Sequence, residues 1–395
     1  MLPFARMVQY GNTVSALKEA KKVLATQSSW FVLDKDSNLH VRGLNVFYTF
    51  GIPSMSNTNF INDYTISRTN VRNVWAAQNR QASVIQLNDG TIHFTGSQAV
   101  LNGDAYNNQF ITQYTQQTGI PTTNVKNVIF SSYCLALLYE NGDVWMSGNK
   151  RNVTGVSGSG GWAKHMSNVL QLQDCNTNWM ALETSGNIYG SGQNISNILN
   201  STASSSTFYP YPVLVGTVGV PEGVKLFGEQ YCVKAGAIPG NGIYGKGYGG
   251  MYAFGDGSAN GYATFTKIST PWPNSSTAIG INVPSNVVLQ RTFYYTPSAL
   301  YVFGAGGAGI GGLPDTGWIT TPKAVPNLPF NPSVIKFIYR TSNNGTIISS
   351  GEDWYYSGIY STGASSSGTI AEFQKVNDML FKGFDLSKIN EFSLY

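Results

Sequence analysis

Histidine is the residue type in this chain best suited to acid–base chemistry or metal binding, and the chain has three. His40, His93 and His165 are isolated from one another, and His40 and His93 occupy the same position in a repeated strand pattern. A metal site would need further ligands, and none can be identified. The pattern favours a structural role, so we expect no catalytic residue, no metal site and no enzymatic activity.

Two glycine-rich segments come close to nucleotide-binding motifs. Segment 240–247 nearly spells a phosphate-binding loop, but Gly247 stands where a hydroxyl would hold magnesium, and no helical pattern follows. Segment 304–309 fits a dinucleotide fingerprint after a strand, but Gly311, Gly312 and Pro314 forbid the helix that the fingerprint needs. Neither segment predicts a nucleotide site, and we expect no cofactor.

Aromatic residues on three insertions are the candidate binding residues. The insertions span 194–211, 239–250 and 270–276. Tyrosine and tryptophan on Gly- and Ser-rich loops are typical of adaptable binding surfaces, including those that stack on carbohydrate. Surface loops without a binding role have the same composition. The candidates on these insertions are Tyr209, Tyr211, Tyr244, Tyr248 and Trp272.

These residues are positioned by an internal repeat. Its clearest copy runs through 125–130, 134–138 and 140–148, and seven such units have closing glycines roughly 45 to 65 residues apart. Each unit contains four strand-like segments, which is one propeller blade. Asn-Gly, Asp-Gly and Ser-Gly between the second and third segments predict type I′ hairpin turns.

Degenerate units need specific assignments. In the fifth unit we place the first strand at 224–227 and the third at 251–255, and in the sixth we place the first strand at 287–289. Segment 16–25 has a composition compatible with a short helix, but alignment with the other units makes at least its second half a strand. Aromatic residues in the third strands are expected to pack between neighbouring blades.

The sequence 299–325 resembles the regulator of chromosome condensation family. It combines Leu300-Tyr301-Val302-Phe303-Gly304, a glycine-rich loop and Pro322-Lys323-Ala324-Val325. The resemblance covers nearly all of 20–376 and implies an all-β fold, a seven-bladed β-propeller with four-stranded blades. The chromatin and small-GTPase roles of eukaryotic relatives need charged loop features that this chain lacks, so we do not transfer those roles.

We expect a single domain over 1–395, with repeat units at about 20–376. Segment 3–8 resembles a fourth strand and segment 386–389 a first strand. Because propellers often close by pairing strands from their two ends, segments 1–10 and 377–395 are expected to close the ring. The alternative is that they dock to a partner.

Composition is the main indication of function. Only 11% of residues are charged, so amides, hydroxyls and tyrosines must cover the surface, which is typical of proteins that face the exterior or stack into assemblies. A net charge of +4, with no basic cluster beyond Lys18, Lys21 and Lys22, argues against nucleic acid. No apolar run predicts membrane insertion, no signal peptide is evident, and three cysteines make no disulfide scaffold.

These features predict a bacteriophage virion protein, a non-enzymatic structural component of the tail, collar or fibres. It would assemble in the host cytoplasm, in several copies in a symmetric assembly, against other virion proteins. One alternative is a protein that binds a bacterial surface glycan or receptor through its loop aromatics. Another is a cytoplasmic propeller that regulates a partner protein.

Overall fold

The structure is a computed structural model that describes residues 17–26, 29–57, 59–77, 82–98, 101, 109–131, 134–149, 159–175, 177–219, 224–228, 232–237, 243–268, 272–273, 278–282, 291–304, 311–313, 317–341, 345–350, 353–363, 366–376, 381, 383–386, 389 and 391–392. Within these residues the strands form seven antiparallel four-stranded sheets, and the first sheet gains two short strands from the end of the chain. The predicted all-β, seven-bladed β-propeller with four-stranded blades is confirmed.

Each blade takes four consecutive strands. Blades 1 to 4 contain β1 (Lys18–Ala25), β2 (Ser29–Asp34), β3 (Leu39–Leu44), β4 (Phe60–Arg68), β5 (Val71–Ala76), β6 (Ala82–Leu87), β7 (Ile92–Ser97), β8 (Phe110–Gln116), β9 (Val125–Phe130), β10 (Cys134–Tyr139), β11 (Val144–Asn149), β12 (Ser159–Met166), β13 (Val169–Asp174), β14 (Asn178–Glu183), β15 (Asn187–Gln193) and β16 (Phe208–Thr217). Blades 5 to 7 contain β17 (Val224–Gly228), β18 (Cys232–Ala237), β19 (Ile243–Gly247), β20 (Tyr262–Lys267), β21 (Gly280–Asn282), β22 (Arg291–Tyr295), β23 (Leu300–Gly304), β24 (Ile319–Ala324), β25 (Ile335–Thr341), β26 (Gly345–Ser350), β27 (Asp353–Gly363) and β28 (Ser366–Lys375). Of segment 16–25, residues 18–25 form strand β1, in agreement with the alignment to the other units.

The core lies between the blades. Every residue of the second strands β6 and β10 is buried, because each sheet is covered on both faces, whereas the fourth strand β4 is mostly exposed. Phe94 of blade 2 shares one apolar cluster with Val128 and Leu137 of blade 3. A single blade therefore cannot bury its own apolar faces, and its stability depends on its neighbours.

The first strands meet at the centre of the ring. β13 contacts the first strands of both neighbouring blades, β9 and β17. Side chains join these strands: Asn127 Nδ2 donates to the Leu172 carbonyl at 3.1 Å, and Gln171 Oε1 accepts from the Leu226 amide at 2.9 Å. The first strand is therefore the innermost strand of each blade.

A β-bulge recurs directly after the first inner-strand residue that pairs with the second strand. In five blades the pairing with the second strand skips one residue. The skipped residues are Lys21, Arg72, Lys126, Leu170 and Lys336. A bulged residue is left out of the ladder, so its side chain can be directed away from the sheet.

The turns between second and third strands differ in type from the prediction, and the turn at 87–91 is one residue longer than a type I′ turn. A type I′ turn needs positive φ at both central residues, but of Asp89 and Gly90 only Gly90 has it, at 88°. The Gly90 amide donates to the Leu87 carbonyl at 2.9 Å, as in a type I turn followed by a left-handed residue. A Cβ on Gly90 would lie 2.1 Å from the Thr122 carbonyl oxygen, so the glycine also permits close approach of the next connection.

Two strand assignments were wrong. The third strand of blade 5 is β19, and the predicted strand at 251–255 is instead part of a 3₁₀ turn, Gly250–Tyr252, and the residues after it. Its Tyr-Ala-Phe-Gly sequence imitates a third strand, but Phe254 is buried behind the turn. The first strand of blade 6 is β21, and segment 287–289 lies outside the described residues.

The end of the chain is packed between the first and last blades. Strands β29 (Phe384–Asp385) and β30 (Glu391–Phe392) pair in parallel with β1. Phe381, Phe384, Leu386 and Ile389 share one cluster with blade 1 and blade 7, represented by Val23, Val32, Ile347 and Trp354. Of the first strand predicted at 386–389, Leu386 and Ile389 are buried but lie between the two short strands and not in a strand, while segment 1–10 lies outside the described residues.

We expect Phe381→Ala to lower the free energy of unfolding by about 3 to 5 kcal/mol, the usual cost of emptying a buried phenylalanine site. The Phe381 ring is 1% exposed, and its centroid lies 5.5 Å from that of Trp30 and 5.2 Å from that of Trp354. Urea unfolding measures the loss, and Phe381→Leu is the control, with a smaller loss of about 1 to 2 kcal/mol. Wild-type stability for Phe381→Ala would show that this segment does not hold blades 1 and 7 together.

Candidate functional site

The five predicted binding residues do not form one site. Tyr211 and Tyr248 are exposed, by 60% and 52%, whereas Tyr209 and Tyr244 are half-buried and Trp272 is 4% exposed. Tyr209 and Tyr211 lie in strand β16 and Tyr244 in strand β19, so none of these three is in a loop.

Trp272 is a core residue, not a binding-loop residue. Its indole Nε1 donates to the Phe254 carbonyl at 3.1 Å, and its ring stacks on Tyr294 with centroids 5.2 Å apart. Phe303 lies 4.7 Å away on the blade 6 side. Composition alone suggested a surface aromatic, but Trp272 fills the space between blades 5 and 6 and cannot stack on a ligand.

The predicted insertion at 239–250 contains strand β19, because Ile243–Gly247 pair with both β18 and β20. Tyr244 stacks on Phe265 with ring planes inclined by 12°. Extended backbone at Gly245, Lys246 and Gly247 cannot open a helix toward a phosphate, in agreement with the sequence argument against a nucleotide loop. Residues 238–242 and 305–310 lie outside the described residues.

An exposed apolar pair stands on the outer strand of blade 4. Tyr211 is 60% exposed and Leu214 is 58% exposed. In the pairing of β15 with β16, Gly192 pairs with Tyr209 and Gly190 pairs with Val213. Residues 210–212, Pro-Tyr-Pro, therefore lie opposite a single residue of β15 and form a bulge. We call Tyr211 and Leu214 the blade-4 edge. The two prolines lack N–H donors, so this edge is poorly suited to adding another strand and presents side chains instead.

The insertion at 194–211 is ordered around Asn194, which sequence reasoning missed. The Asn194 side chain is fully buried. Its Oδ1 accepts hydrogen bonds from the backbone amides of Leu199 and Asn200, both at 2.9 Å. Its Nδ2 donates to the Asn200 carbonyl at 2.9 Å. Asn45 holds the corresponding loop of blade 1 and accepts from the Phe50 amide at 3.0 Å. The available signal was Gly-x-Asn after a third strand, at 43–45 and 192–194.

We expect Asn194→Ala to lower the free energy of unfolding by about 2 to 4 kcal/mol, since it leaves buried backbone groups without hydrogen-bond partners. Asn200→Ala is the matched control: its side chain accepts only local bonds from Thr202, and its loss should cost under about 1 kcal/mol. Chemical denaturation of both variants measures the difference. Equal losses would contradict the central role of Asn194.

The histidines His40 and His93 occupy equivalent positions in third strands but differ in partners. Buried His40 Nε2 lies 2.7 Å from Asp34 Oδ2, and His93 Nε2 lies 3.1 Å from the Thr91 hydroxyl. Burial lowers the pKa of His93, and burial raises the pKa of the Cys134 thiol to about 12, so this thiol stays protonated. Among the described residues, no three metal-ligating side chains come together.

The Asp34–His40 pair makes stability depend on pH. Burial alone would raise the pKa of Asp34, but hydrogen bonds from His40 and from the Asn38 amide outweigh burial and hold this pKa below its usual 3.8. The carboxylate therefore stabilises the fold above about pH 4, and this contribution is lost as the pH falls through the lowered pKa.

We expect the stability difference between wild type and Asp34→Asn to be largest near neutral pH and to shrink below about pH 3. Urea unfolding at pH 7, 4.5 and 3 measures it, with Asp36→Asn, an exposed carboxylate of the same turn, as the control. A difference that is constant with pH would mean that Asp34 acts through packing and not through its charge.

Comparison with known proteins supports the fold. No protein-family model matches the chain, and no curated protein matches its sequence. Prp20p from Saccharomyces cerevisiae, whose structure was described together with its binding to Gsp1p and histones, superposes with a TM-score of 0.61 at 13% identity over 81% of this chain and 80% of that chain. Human WBSCR16 gives 0.61 at 14% identity over 80% and 85%, and yeast RCC1 (Prp20) bound to Kap60 gives 0.59 at 13% over 89% and 78%.

These neighbours are seven-bladed propellers of the regulator of chromosome condensation type, so the resemblance seen in the sequence extends to the fold. At 13 to 14% identity the likeness is one of architecture. No helix within the described residues is long and apolar enough to cross a membrane.

Proposed function

We propose that this chain is a non-enzymatic interaction scaffold of a bacteriophage particle, associated with the tail, collar or fibres and present in several copies. The blade-4 edge is the contact that fixes it to a neighbouring subunit. The single observation that carries this proposal is the exposure of Tyr211 and Leu214, three residues apart on a strand whose prolines block further sheet pairing.

A rigid surface suits this role. Leu214 is paired with Tyr189 of β15, and Tyr211 is held between two prolines that restrict the backbone, so little backbone freedom is lost on binding. Tyrosine is enriched at the energetic centres of protein interfaces because it contributes large contact area and a hydroxyl. The blade-4 edge therefore offers a preformed anchor to a partner.

Membership in a particle is supported by composition. With 24 basic and 20 acidic residues in 395, the chain has about half the usual share of charge. A surface of amides, hydroxyls and tyrosines suits close contact with neighbouring subunits, because few charged groups must lose their water. Localisation in a virion is the proposal that follows.

A soluble regulator that binds a partner protein is the second candidate. It is favoured by the structural neighbour Prp20p, which binds Gsp1p and histones and whose structure is also known in complex with Kap60. Recognition of a bacterial glycan is less well supported, because Trp272 is buried and Tyr244 is packed against Phe265.

We expect Tyr211→Ser with Leu214→Ser to reduce the amount of this protein in sedimented particles by about tenfold, because the apolar anchor is removed while the fold is kept. The measurement is mass spectrometry of particles pelleted through high salt from a lysate of the native source. The matched control is Ile66→Ser on the outer strand of blade 1, where Ile66 is 46% exposed.

Normal incorporation of the double variant would move the attachment site away from the blade-4 edge. Absence of the wild-type protein from all particles would overturn the virion role and favour the soluble regulator.

A further inference from the structure

The centre of the propeller carries a ring of basic side chains. The residue that follows the first inner-strand residue paired with the second strand is basic in blades 1, 2, 3, 5 and 7, as Lys21, Arg72, Lys126, Lys225 and Lys336. Leu170 holds this position in blade 4, and in blade 6 Ile279 directly precedes β21 and donates its amide to the Tyr295 carbonyl at 2.8 Å. We call the five basic residues the axial basic ring. Lysine and arginine make up 24 of 395 residues, so fewer than one of seven such positions would be basic by chance.

Hydrogen bonds place this ring across the inner edges of the blades. Lys21 Nζ donates to the Arg72 carbonyl of the next blade at 3.1 Å, and Lys126 Nζ donates to the Leu170 carbonyl of the next blade at 2.9 Å. These two bonds give Lys21 and Lys126 a structural role. Arg72, Lys225 and Lys336 need a different explanation, because no bond between described residues uses their side chains.

The ring is exposed and its charge is not neutralised. All five side chains are exposed to solvent. In the part of the chain that the structure describes, the ion pairs join Lys35 to Glu19, His40 to Asp34, Lys164 to Asp143 and Lys375 to Asp353, and none includes a ring residue. Several cations facing one axis with low-dielectric walls concentrate positive potential there.

Acidic residues lie beside the ring on the same face in blades 1 to 4. The turns between second and third strands carry Asp36, Asp89, Glu140 and Asp143 in blades 1 to 3, and Glu183 ends the second strand of blade 4. These turns are tied to the beginnings of the inner strands: the Glu140 amide donates to the Asn124 carbonyl at 3.0 Å, and the Thr184 amide to the Asn168 carbonyl at 2.9 Å. In blades 1 to 4 this face therefore has basic side chains at its centre and acidic side chains farther out, and of these acidic side chains Asp143 is paired with Lys164.

This charge pattern selects the shape of a ligand. A nucleic-acid backbone lying across the face would bring phosphates against the acidic turns. A narrow segment that enters along the axis meets the basic ring while its flanks contact the turns. Carboxylates at the tip of a polypeptide segment have the charge and the width that this arrangement requires.

We propose that the axial basic ring binds an acidic peptide segment of a partner protein, whose Asp or Glu side chains pair with Arg72, Lys225 and Lys336. The proposal rests on the function of the chain as an interaction scaffold, and it assigns that scaffold a second contact, on the axis and distinct from the blade-4 edge.

The test uses the purified full-length chain and a fluorescein-labelled hexaglutamate peptide, followed by fluorescence anisotropy in low salt. Binding should weaken as salt is raised. The triple variant Arg72→Gln, Lys225→Gln and Lys336→Gln should bind the peptide at least about tenfold more weakly than wild type. A triple variant with the same change in net charge, Arg68→Gln, Lys267→Gln and Lys323→Gln, alters exposed basic residues of the outer strands and should lose less than about threefold.

Three results would overturn the assignment: no binding of hexaglutamate to wild type in low salt, equal losses in the two triple variants, or stronger binding of a labelled single-stranded oligonucleotide than of the peptide. Thermal unfolding of both variants checks that the fold is kept. The peptide-binding assay needs no particle, so its outcome is independent of the sedimentation experiment. Loss of peptide binding would overturn the axial site alone, and absence from particles would overturn the virion role alone.

Discussion

The structure depends on apolar sheet faces that no blade can cover alone. The second strands are buried throughout, so each sheet must be packed on both sides, and only a closed ring satisfies every blade. The weak point of such a ring is where its first and last members meet. Here the chain places Phe381, Phe384 and Ile389 between blades 7 and 1 and extends the inner edge of β1 with two short strands. The need to cover the apolar faces of every sheet therefore explains both the buried core and the closure of the ring.

Much of the fold was predictable because its determinants are local. Alternation, turn glycines and the repeat period identify most blades, as in 125–148. The prediction was wrong in blade 5, where Tyr252-Ala253-Phe254-Gly255 imitates a third strand but packs as a turn, since Gly249 and Gly250 allow the chain to fold back: a Cβ on Gly249 would lie 1.7 Å from the Asn260 carbonyl oxygen. The sequence pattern of a few residues cannot distinguish an aromatic residue at the end of a strand from an aromatic residue in a turn that packs against the strand.

The candidate site was less predictable, because exposure is a property of the assembled ring. Trp272 and Tyr211 lie in similar proline-flanked sequences, Pro-Trp-Pro and Pro-Tyr-Pro, yet one is buried against Tyr294 and the other is exposed on an outer strand. The difference arises from position along the radius of the propeller, which sequence composition does not encode. The basic inner positions were equally hidden, since Lys21 reaches Arg72 and Lys126 reaches Leu170 only when the strands converge.

The bulge in the inner strands separates the residues that must be buried in the core from the residue whose side chain is exposed at the axis. The residues on either side of it pack in the core, as Val71 and Val74 do, while the bulged residue is released from the ladder and contributes little to burial. In the five blades with this bulge, the bulged side chain can thus be replaced without disturbing the layers between the blades. A propeller of this design can change what it accepts along its axis, in charge and in size, while its architecture stays the same.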